Sequence, residues 1–545
     1  MQKKTPASYE EFLQQFKVDA PQGFNFAFDV LDTIADQDPD RLALVHVDNN
    51  LARTEYTFDS LKKSSARLAN ALKAQGVGKS DRIMIILYRR PEFWTAMMAL
   101  HRIGAVVVPS PNLLTEKDIV YRVNRGKIKG AIVEDSVSQT VAKAASQCDG
   151  FNTLIQIGPS PLPQGWLDYN AITAQAPDQF PEPADRAGGD DPLLVFFSSG
   201  TTGQPKMVEH THFYPLGHLC TGIYWHDLAP GGLHLTLADT GWGKAVWGKL
   251  YGQWMAGATV FAYDFRGKFE PEKLLQVMAE NKVTSFCAPP TVYRFLIRLD
   301  LSAYDLSALK HCTTAGELLN ASVFKEWKKA TGLPIYEGYG QTETTLQIAT
   351  FPFMTPKPGS IGRPVPGWDV VLLDLEGQPC PPGEEGEICI RMKDQNIGLF
   401  THYVDEDEKT KSVMINGFYH TGDKAWMDED GYIWFLGRVD DLIKSSGYRI
   451  GPFEVESALI THPAVVESAV TGLPDPIRGQ IVKATVVLAP GFTPSDDLTK
   501  ELQNHVKTVT APYKYPRIIE YAAELPKTIS GKIKRAEIRE RDNAN

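Results

Sequence analysis

The chain has 545 residues, and a prior of about 150 residues per domain predicts two to four structural units. Its hydrophobic fraction of 43% and charged fraction of 22% are typical of a soluble globular protein, and no apolar run approaches the roughly 18 residues that a membrane helix needs. The net charge of −10 argues against nucleic acid as a main partner, so any polyanion must bind locally.

Strand-like and helix-like segments alternate along most of the chain. The predicted strands span residues 82–87, 105–108, 193–197, 283–287 and 311–314, and the predicted helices span 91–103, 291–299 and 320–330. Because most of these strands are largely apolar and alternate with helices, they predict α/β layering with buried, largely parallel strands. Residues 176–192 are rich in Pro, Gly and Asp, which predicts a surface loop.

A polar loop directly after the predicted strand 193–197 is the most informative stretch. It consists of Ser198, Ser199, Gly200, Thr201, Thr202, Gly203, Gln204, Pro205 and Lys206. Glycine lets backbone N–H groups approach an anion closely, the hydroxyls donate further hydrogen bonds, and the lysine supplies positive charge. The run predicts a nucleotide-phosphate loop instead of an ordinary polar turn. It does not fit the GxxxxGK[ST] pattern of a Walker A motif.

A second glycine-rich stretch, Gly243–Lys249, does match the GxxxxGK part of that pattern. Leu250 follows, where the motif needs Ser or Thr to ligate magnesium, and bulky residues crowd the loop. We therefore interpret residues 239–254 as a tightly packed helix that lines a pocket.

The pattern changes from about Val370, where short strands and frequent turns predict a β-rich subdomain. After Arg438 we predict a strand pair around 446–448, a helix from near Pro452, strands at 464–471 and 480–488, and a helix over 495–507. The predicted fold class is α/β. A large N-terminal layered α/β domain (1–437) carries the β-rich subdomain, and a small mobile α+β domain (438–545) follows. No long linker separates them, so motion must turn on very few residues.

Two further expectations concern redox state and location. No two cysteines form a CxxC pair, so we expect all six to be reduced and predict no zinc or iron–sulfur site. The first residues form neither a secretory apolar core nor an Arg-rich transit peptide, which leaves a cytoplasmic location as the expectation.

Six short motifs occur in the order seen in adenylate-forming enzymes. They lie at 198–206, 339–343, 419–423, 437–441, 446–456 and 526–532. Through them the chain resembles the adenylate-forming superfamily from about Phe24 to Arg535, and it is most similar to the medium-chain acyl-CoA synthetases at 206–210, 238–242, 288–294 and 510–517. The resemblance implies an AMP-forming acid–thiol ligase. A carboxylic acid and ATP give acyl-AMP and pyrophosphate, and coenzyme A (CoA) then displaces AMP.

The resemblance also implies roles for individual residues. Lys532 matches the lysine that bridges the acid and the α-phosphate, Glu343 matches the Mg²⁺ ligand, and Thr342 contacts phosphate or the acyl carboxylate. Asp423 matches the carboxylate that holds the ribose hydroxyls, with Arg438 as its partner. The ATP site is completed by the loop 198–206 and by Glu337, Gly338, Tyr339, Gly340 and Gln341, with Tyr339 stacking on the adenine.

For the thioester step, the resemblance points to the C-terminal unit. The residues that match the CoA channel after this unit rotates are Ser446, Gly447 and Tyr448. Arg478 and Lys507 are candidates for the CoA phosphates, and Arg449 matches a residue that contacts nucleotide or acyl groups. Asp440 matches the hinge position.

The motifs define the carboxylic acid substrate less closely than the reaction. The acetate-specific branch of the family carries tryptophan at the position of Gly340, so we expect glycine to leave the pocket floor open. Trp242, Gly316 and the 241–254 segment would then line an apolar slot for short- to medium-chain acids, including branched ones. An aryl acid such as benzoate fits the same description. A further alternative is an adenylation enzyme that loads an amino or aryl acid onto a carrier protein. In that case Asp239 would pair with the ammonium group of the substrate.

Overall fold

The computed structural model describes residues 5–198, 204–445, 448–527 and 533–544, and for Arg449, Asn543 and Ala544 it describes the backbone alone. In this part of the chain the strands are β1 (Leu42–Val47), β2 (Arg53–Thr57), β3 (Arg82–Ile86), β4 (Val106–Pro109), β5 (Gly130–Glu134), β6 (Thr153–Ile157), β7 (Leu167–Asp168), β8 (Pro192–Ser198), β9 (Lys206–Thr211), β10 (Leu233–Thr236), β11 (Thr259–Tyr263), β12 (Ser285–Cys287), β13 (His311–Ala315), β14 (Ile335–Tyr339), β15 (Ile348–Ala349), β16 (Arg363–Pro364), β17 (Val370–Leu373), β18 (Glu385–Arg391), β19 (Met414–Ile415), β20 (Phe418–Met427), β21 (Ile433–Arg438), β22 (Ile443–Ser445), β23 (Tyr448–Ile450), β24 (Val465–Asp475), β25 (Gly479–Leu488) and β26 (Ile518–Tyr521).

The helices of the described residues are α1 (Tyr9–Gln15), α2 (Thr33–Gln37), α3 (Phe58–Ala74), α4 (Glu92–Ile103), α5 (Glu116–Gly126), α6 (Asp135–Ala145), α7 (Tyr169–Ala174), α8 (Gly243–Lys249), α9 (Tyr251–Met255), α10 (Pro271–Glu280), α11 (Pro290–Leu296), α12 (Ala321–Thr331), α13 (Asp407–Val413), α14 (Pro452–Ile460), α15 (Asp496–Val509) and α16 (Arg535–Ala544). Short 3₁₀ or π-helical turns span Ala27–Asp32, Tyr214–His218, Thr221–Trp225, Leu301–Ala303 and Pro512–Lys514. None of the described helices is long and apolar enough to cross a membrane.

Two large sheets form the N-terminal part. One has the strand order β16-β15-β14-β13-β12-β10-β11-β1-β2, and the other has the order β7-β6-β5-β3-β4-β8-β9. Their central strands pair in parallel, and antiparallel pairing is confined to strands towards the edges. This confirms the predicted α/β layering, because parallel strands need crossover connections that place helices on the sheet faces.

Helix α4 shows how the sequence produces this layering. Nearly every residue of Glu92–Ile103 is buried, as expected for a helix that is apolar on all sides and packs between other elements. It ends at Gly104, whose φ of +78° is the left-handed conformation that glycine adopts without steric cost. The large core around it contains Trp94, Trp247 and Trp254.

Two smaller sheets follow. The strands β17-β18-β20-β19, with β21 added to β20, pair in antiparallel fashion and confirm the predicted β-rich subdomain. The last sheet, β23-β22-β25-β24 with β26 beside β25, carries α14 and α15 over its own small core. A large N-terminal domain and a smaller C-terminal domain are thus present. The smaller one contains the predicted strand pair as β22 and β23, the predicted helices as α14 and α15, and the predicted strands 464–471 and 480–488 as β24 and β25.

The predicted single helix over 239–254 is wrong. The segment forms α8 and α9, which are separated at Leu250, where φ is −150° and ψ is −84°. The Leu250 N–H donates to the Val246 carbonyl, as in the last turn of a helix, and also to the Gln253 side chain at 2.9 Å, so Gln253 braces the break between the two helices.

Candidate active site

A cavity of ≈ 1660 Å³ lies where the two large sheets, the β-rich sheet and the C-terminal unit meet. Ser198, Ala315 and Tyr339 enter its wall from the carboxyl ends of β8, β13 and β14. The carboxyl ends of parallel strands are where α/β proteins usually bind ligands. From the C-terminal unit, Glu456 and Arg535 complete the wall.

The predicted phosphate loop begins and ends at this cavity. Ser198, the last residue of β8, pairs in register with Lys206, the first residue of β9, and both side chains line the cavity together with Gln204. The carbonyl of Pro205 accepts a hydrogen bond from the Tyr121 hydroxyl at 3.1 Å, which anchors the end of the loop. The residues Ser199, Gly200, Thr201, Thr202 and Gly203 lie outside the described residues.

Lys206 and Glu343 meet through a third residue, Tyr403, which the sequence analysis missed. The Lys206 ammonium donates to the Tyr403 hydroxyl at 3.2 Å, and that hydroxyl donates to Glu343 Oε1 at 2.9 Å. The ammonium also lies 4.4 Å from the centre of the tyrosine ring and 3.8 Å from Glu343 Oε1. Burial lowers the pKa of Lys206, although Glu343 opposes this. The three side chains therefore hold a cation and a carboxylate at fixed positions on the wall.

A second polar cluster surrounds Asp423. Its Oδ2 accepts hydrogen bonds from the Tyr339 hydroxyl and the Gln341 amide, both at 2.6 Å, and its Oδ1 lies 3.5 Å from Arg438 Nη1. Tyr419 donates to Gln341 Oε1 at 2.7 Å, so the Gln341 amide is oriented from both ends. This network fixes the carboxylate that was predicted to hold the ribose.

The turn that carries Thr342 is braced from outside the motif. The imidazole Nε2 of His210 lies 2.8 Å from the Thr342 carbonyl, and because a carbonyl can only accept, this nitrogen donates. His210 lies on strand β9 and is buried, which identifies it as a structural support. The carboxyl group of Glu337 accepts from the Leu319 N–H at 3.0 Å, and burial raises its pKa to about 8. Its side chain is thus engaged within the protein, although Glu337 and Gly338 both border the cavity.

The open pocket floor predicted at Gly340 is wrong. A Cβ atom at this position would lie 2.3 Å from Cη2 of Trp247 and 2.5 Å from the Thr345 carbonyl oxygen. The Trp247 indole therefore packs directly on the Gly340 backbone, held by a hydrogen bond from its Nε1 to the Tyr214 hydroxyl at 3.0 Å. The glycine does not leave space for substrate. It accommodates an indole that is supplied by helix α8.

Trp242 and Gly316 also lie on the cavity wall, as predicted. Gly316 has a φ of +98°, and no atom lies within 4 Å of where its Cβ would be, so a side chain there would be disfavoured by backbone strain rather than by crowding. The Arg449 side chain lies outside what the structure describes.

A charged cluster that the sequence analysis missed closes another side of the cavity. The Arg89 guanidinium donates to Asp239, lies 4.1 Å from the centre of the Phe265 ring, and is buried. Behind it, Lys249 donates to the Ala238 carbonyl at 2.7 Å, and burial, reinforced by the charge of Arg89, lowers the pKa of Lys249 to about 7. The Asp239 carboxylate thus already has a cationic partner.

The residues predicted for CoA are not brought together at the cavity. Tyr448, Arg478 and Lys507 do not belong to the described residues that line it. Tyr448 is half exposed and stacks on Tyr513 with ring centres 4.1 Å apart, and the Lys507 ammonium lies 4.2 Å from the centre of the Tyr515 ring. Ser446 and Gly447 lie outside the described residues.

The C-terminal unit instead presents the neighbours of Lys532. Lys527 and Ile533 both line the cavity, while Lys532 itself lies outside the described residues. The connection between the units is short, because β21 ends at Arg438 and β22 begins at Ile443. Asp440 lies in this turn, with its carboxylate 3.5 Å from Arg438 Nε.

The known proteins that are similar in sequence to this chain are AMP-binding enzymes. The family model of AMP-binding enzymes matches residues 31–403, and the model of the AMP-binding enzyme C-terminal domain matches residues 454–532. The mouse mitochondrial acyl-coenzyme A synthetase ACSM3 is 44% identical over 98% of this chain and 93% of its own length. The human mitochondrial acyl-coenzyme A synthetase ACSM5 is 42% identical over 96% of this chain and 91% of its own length.

Two solved structures share the fold. The anthranilate CoA ligase AuaEII in complex with anthranoyl-AMP has a TM-score of 0.88 at 31% identity and covers 96% of this chain and 98% of its own. A benzoate CoA ligase from Burkholderia xenovorans LB400 has a TM-score of 0.82 at 28% identity and covers 95% of this chain and 100% of its own. The expectation of a cytoplasmic location is wrong, because the similar acyl-coenzyme A synthetases ACSM3 of mouse and human and ACSM4 of rat are mitochondrial enzymes.

Proposed function

Because the chain belongs to the adenylate-forming family of AMP-binding enzymes, with medium-chain acyl-coenzyme A synthetases among its close relatives, we propose that it converts a short- to medium-chain carboxylic acid into its CoA thioester. A carboxylate oxygen attacks the α-phosphorus of ATP and the bond to pyrophosphate breaks. The CoA sulfur then attacks the acyl carbon, AMP leaves with the bonding electrons, and the thiol proton is released. The enzyme is an AMP-forming acid–thiol ligase.

The observation that carries this proposal is the meeting of two polar clusters on one cavity wall. The Lys206–Tyr403–Glu343 cluster offers a cation and an oriented carboxylate. The Asp423 cluster offers a second carboxylate, which is held by two hydrogen-bond donors and by the charge of Arg438. A weakly nucleophilic acid attacking a polyanion needs positioned cations more than acid–base groups. We assign the first cluster to the phosphates and the second to the ribose.

Glu343 suits a Mg²⁺ ion. Its carboxylate is buried and borders the cavity, and Tyr403 orients one of its oxygens. Magnesium is usually bound by one or two carboxylates together with water and substrate phosphates, so a single well-placed glutamate is enough. The ion would neutralise phosphate charge when it is bound. Thr342, on the same turn, would contact the phosphate or the acyl carboxylate.

We further propose that Lys532 bridges the acid and the α-phosphate during adenylation. The cavity wall contains Lys527 and Ile533 on either side of this segment, which supports the assignment. Tyr448, Arg478 and Lys507 would meet CoA only after the unit 438–545 rotates on the unit 1–437, with Asp440 as the pivot. The short connection from Arg438 to Ile443 favours a rotation about very few residues.

The acyl pocket favours apolar acids. Trp242 and Trp247 line the same cavity, so the acid meets a wall rich in aromatic side chains. An aryl acid is a second candidate substrate, because two solved relatives are CoA ligases for anthranilate and benzoate. An amino acid is disfavoured, because the Arg89 guanidinium already neutralises the Asp239 carboxylate and would repel a substrate ammonium beside it.

A panel of acids tests the proposal directly. CoA-dependent release of AMP should be measured with straight and branched aliphatic acids from acetate to octanoate, with benzoate and anthranilate, and with amino acids. We expect activity with aliphatic or aryl acids and none with amino acids. Acid-dependent pyrophosphate exchange without thioester formation, for every acid in the panel, would contradict the CoA ligase assignment.

A further inference from the structure

A group of three metal-ligating side chains lies in the β-rich sheet, outside the two clusters described above. Glu387 Oε, Cys389 Sγ and His420 Nδ1 all lie within 4.8 Å of one another. The His420 Nδ1 atom is 2.9 Å from Glu387 Oε2 and 3.5 Å from Cys389 Sγ. From these contacts we propose that Glu387, Cys389 and His420 form a binding site for Zn²⁺, separate from the Mg²⁺ position at Glu343.

The backbone holds these ligands rigidly. Glu387 and Cys389 are two residues apart on β18, so they point to the same face of the sheet. Cys389 pairs in register with His420 on the neighbouring strand β20. A register shift between Glu387 and Cys389 bulges β20 around Gly422, whose N–H donates to Glu387 Oε1 at 2.8 Å. One oxygen of Glu387 is thus fixed while the other faces the histidine.

One ring nitrogen, His420 Nδ1, faces both of the other groups. Without a metal, an Nδ1–H shares its hydrogen between Glu387 Oε2 and the Cys389 sulfur. When the thiol and this ring nitrogen are both deprotonated, all three atoms instead present lone pairs to one central cation.

The ligand types select zinc over magnesium. One thiolate, one imidazole and one carboxylate suit a borderline ion, whereas Mg²⁺ prefers oxygen ligands. Tetrahedral zinc with bonds of about 2.3 Å to sulfur and about 2.0 Å to nitrogen requires a sulfur–nitrogen separation of about 3.5 Å. The observed separation is 3.5 Å. The nitrogen–oxygen pair is closer, at 2.9 Å, than the roughly 3.3 Å that the same geometry requires, so the Glu387 carboxylate must shift outward by a few tenths of an ångström when zinc binds. The thiolate and the carboxylate balance the double charge of the ion.

The three side chains leave the fourth coordination position of the zinc ion open. Glu387 and His420 are about a quarter exposed and line the cavity, while Cys389 is buried behind them. A zinc ion held by three protein ligands with a fourth position facing a cavity carries water or a substrate atom there. Binding releases the proton of the Cys389 thiol to solvent. The sequence could not reveal this site, because its ligands lie on two strands and form no cysteine pair.

The test uses the full-length protein freed of metal with a chelator. Titration with Co²⁺ alone should give one equivalent of binding with a thiolate-to-cobalt charge-transfer band, and Zn²⁺ should displace the band. Cys389→Ser should abolish the band, and His420→Ala should weaken Zn²⁺ binding by more than about tenfold, since even residues outside the ligand shell are often worth that much. Cys148→Ser, a buried cysteine elsewhere, should change neither.

Thermal melting of each variant shows whether it is folded. If Cys389→Ser does not fold, Glu387→Gln serves instead, because it retains an acceptor for the Gly422 N–H but loses the charge. The absence of a charge-transfer band in the folded wild-type protein would refute the proposal. So would Zn²⁺ binding of unchanged affinity in the folded His420→Ala and Glu387→Gln variants.

Discussion

Replacement of Trp247 by leucine should lengthen the acid that the enzyme prefers. The indole lines the cavity and packs on Gly340, where a Cβ would lie 2.3 Å from its Cη2 atom, so in the proposed function it closes the acyl pocket. Leucine has six fewer side-chain heavy atoms, so the variant frees space at the end of the pocket without placing a polar group there. The hydrogen bond to Tyr214 is also lost.

The size of the effect follows from apolar burial. Each additional buried methylene is worth about 0.8 kcal/mol, which corresponds to a factor of about four in kcat/KM. We compare the kcat/KM of a longer acid with that of the acid that the wild type prefers. If two or three methylenes of the longer acid enter the freed space, Trp247→Leu should raise this ratio roughly 15- to 60-fold. The fold should lose about 2–4 kcal/mol of stability, because a large buried side chain has been truncated.

The measurement is kcat/KM for acids from two to ten carbons in wild type and variant. Trp254→Leu is the matched control, since Trp254 is fully buried and does not line the cavity. It should lose stability while keeping the chain-length profile. A profile that is unchanged in Trp247→Leu would refute the placement of the acyl pocket at this indole.

Four further predictions concern the reaction steps and stability. Tyr403→Phe removes a donor to the Glu343 carboxylate and should reduce ATP–pyrophosphate exchange about 10- to 150-fold, as expected for a hydrogen bond to a charged group; an unchanged rate would contradict its positioning role. Lys532→Ala should lose exchange by roughly 10²-fold yet still convert supplied acyl-AMP and CoA to thioester, and equal loss of both steps would argue against the assignment. Asp440→Pro should preserve adenylation and block thioester formation, so normal overall ligation would place the pivot elsewhere. Burial lowers the pKa of His210 to about 4, so the folded state should lose up to about 3 kcal/mol as the pH falls from about 6.5 to 4, and His210→Gln should flatten the dependence of denaturant stability on pH in that range.

Much of the fold could be predicted because its signals are local. The strands β3, β4 and β8 are largely apolar runs, and runs of this kind with intervening helices favour a parallel sheet in whatever order the strands lie. The single helix predicted over 239–254 failed because its interruption at Leu250 depends on a side chain, Gln253, whose role is visible only in the packed structure. Local propensity carries no information about such a contact.

The residues of the candidate site show the same difference between local signals and contacts across the chain. Glu343 and Asp423 were found because they stand in contiguous motifs, whereas Tyr403 and His210 were missed because each reaches its partner from a distant part of the chain. The cationic partner of Asp239 was missed for the same reason.

The sequence by itself determined the family and the reaction class, because glycines, hydroxyls and charges in contiguous motifs are visible without the fold. Only the tertiary structure decided which side chain packs on Gly340 and what orients the charged groups. A glycine such as Gly340 indicates only that another group approaches its backbone closely, and the folded structure shows that this group is Trp247. Contacts between distant segments therefore shape the cavity wall, and local propensity carries no information about such contacts.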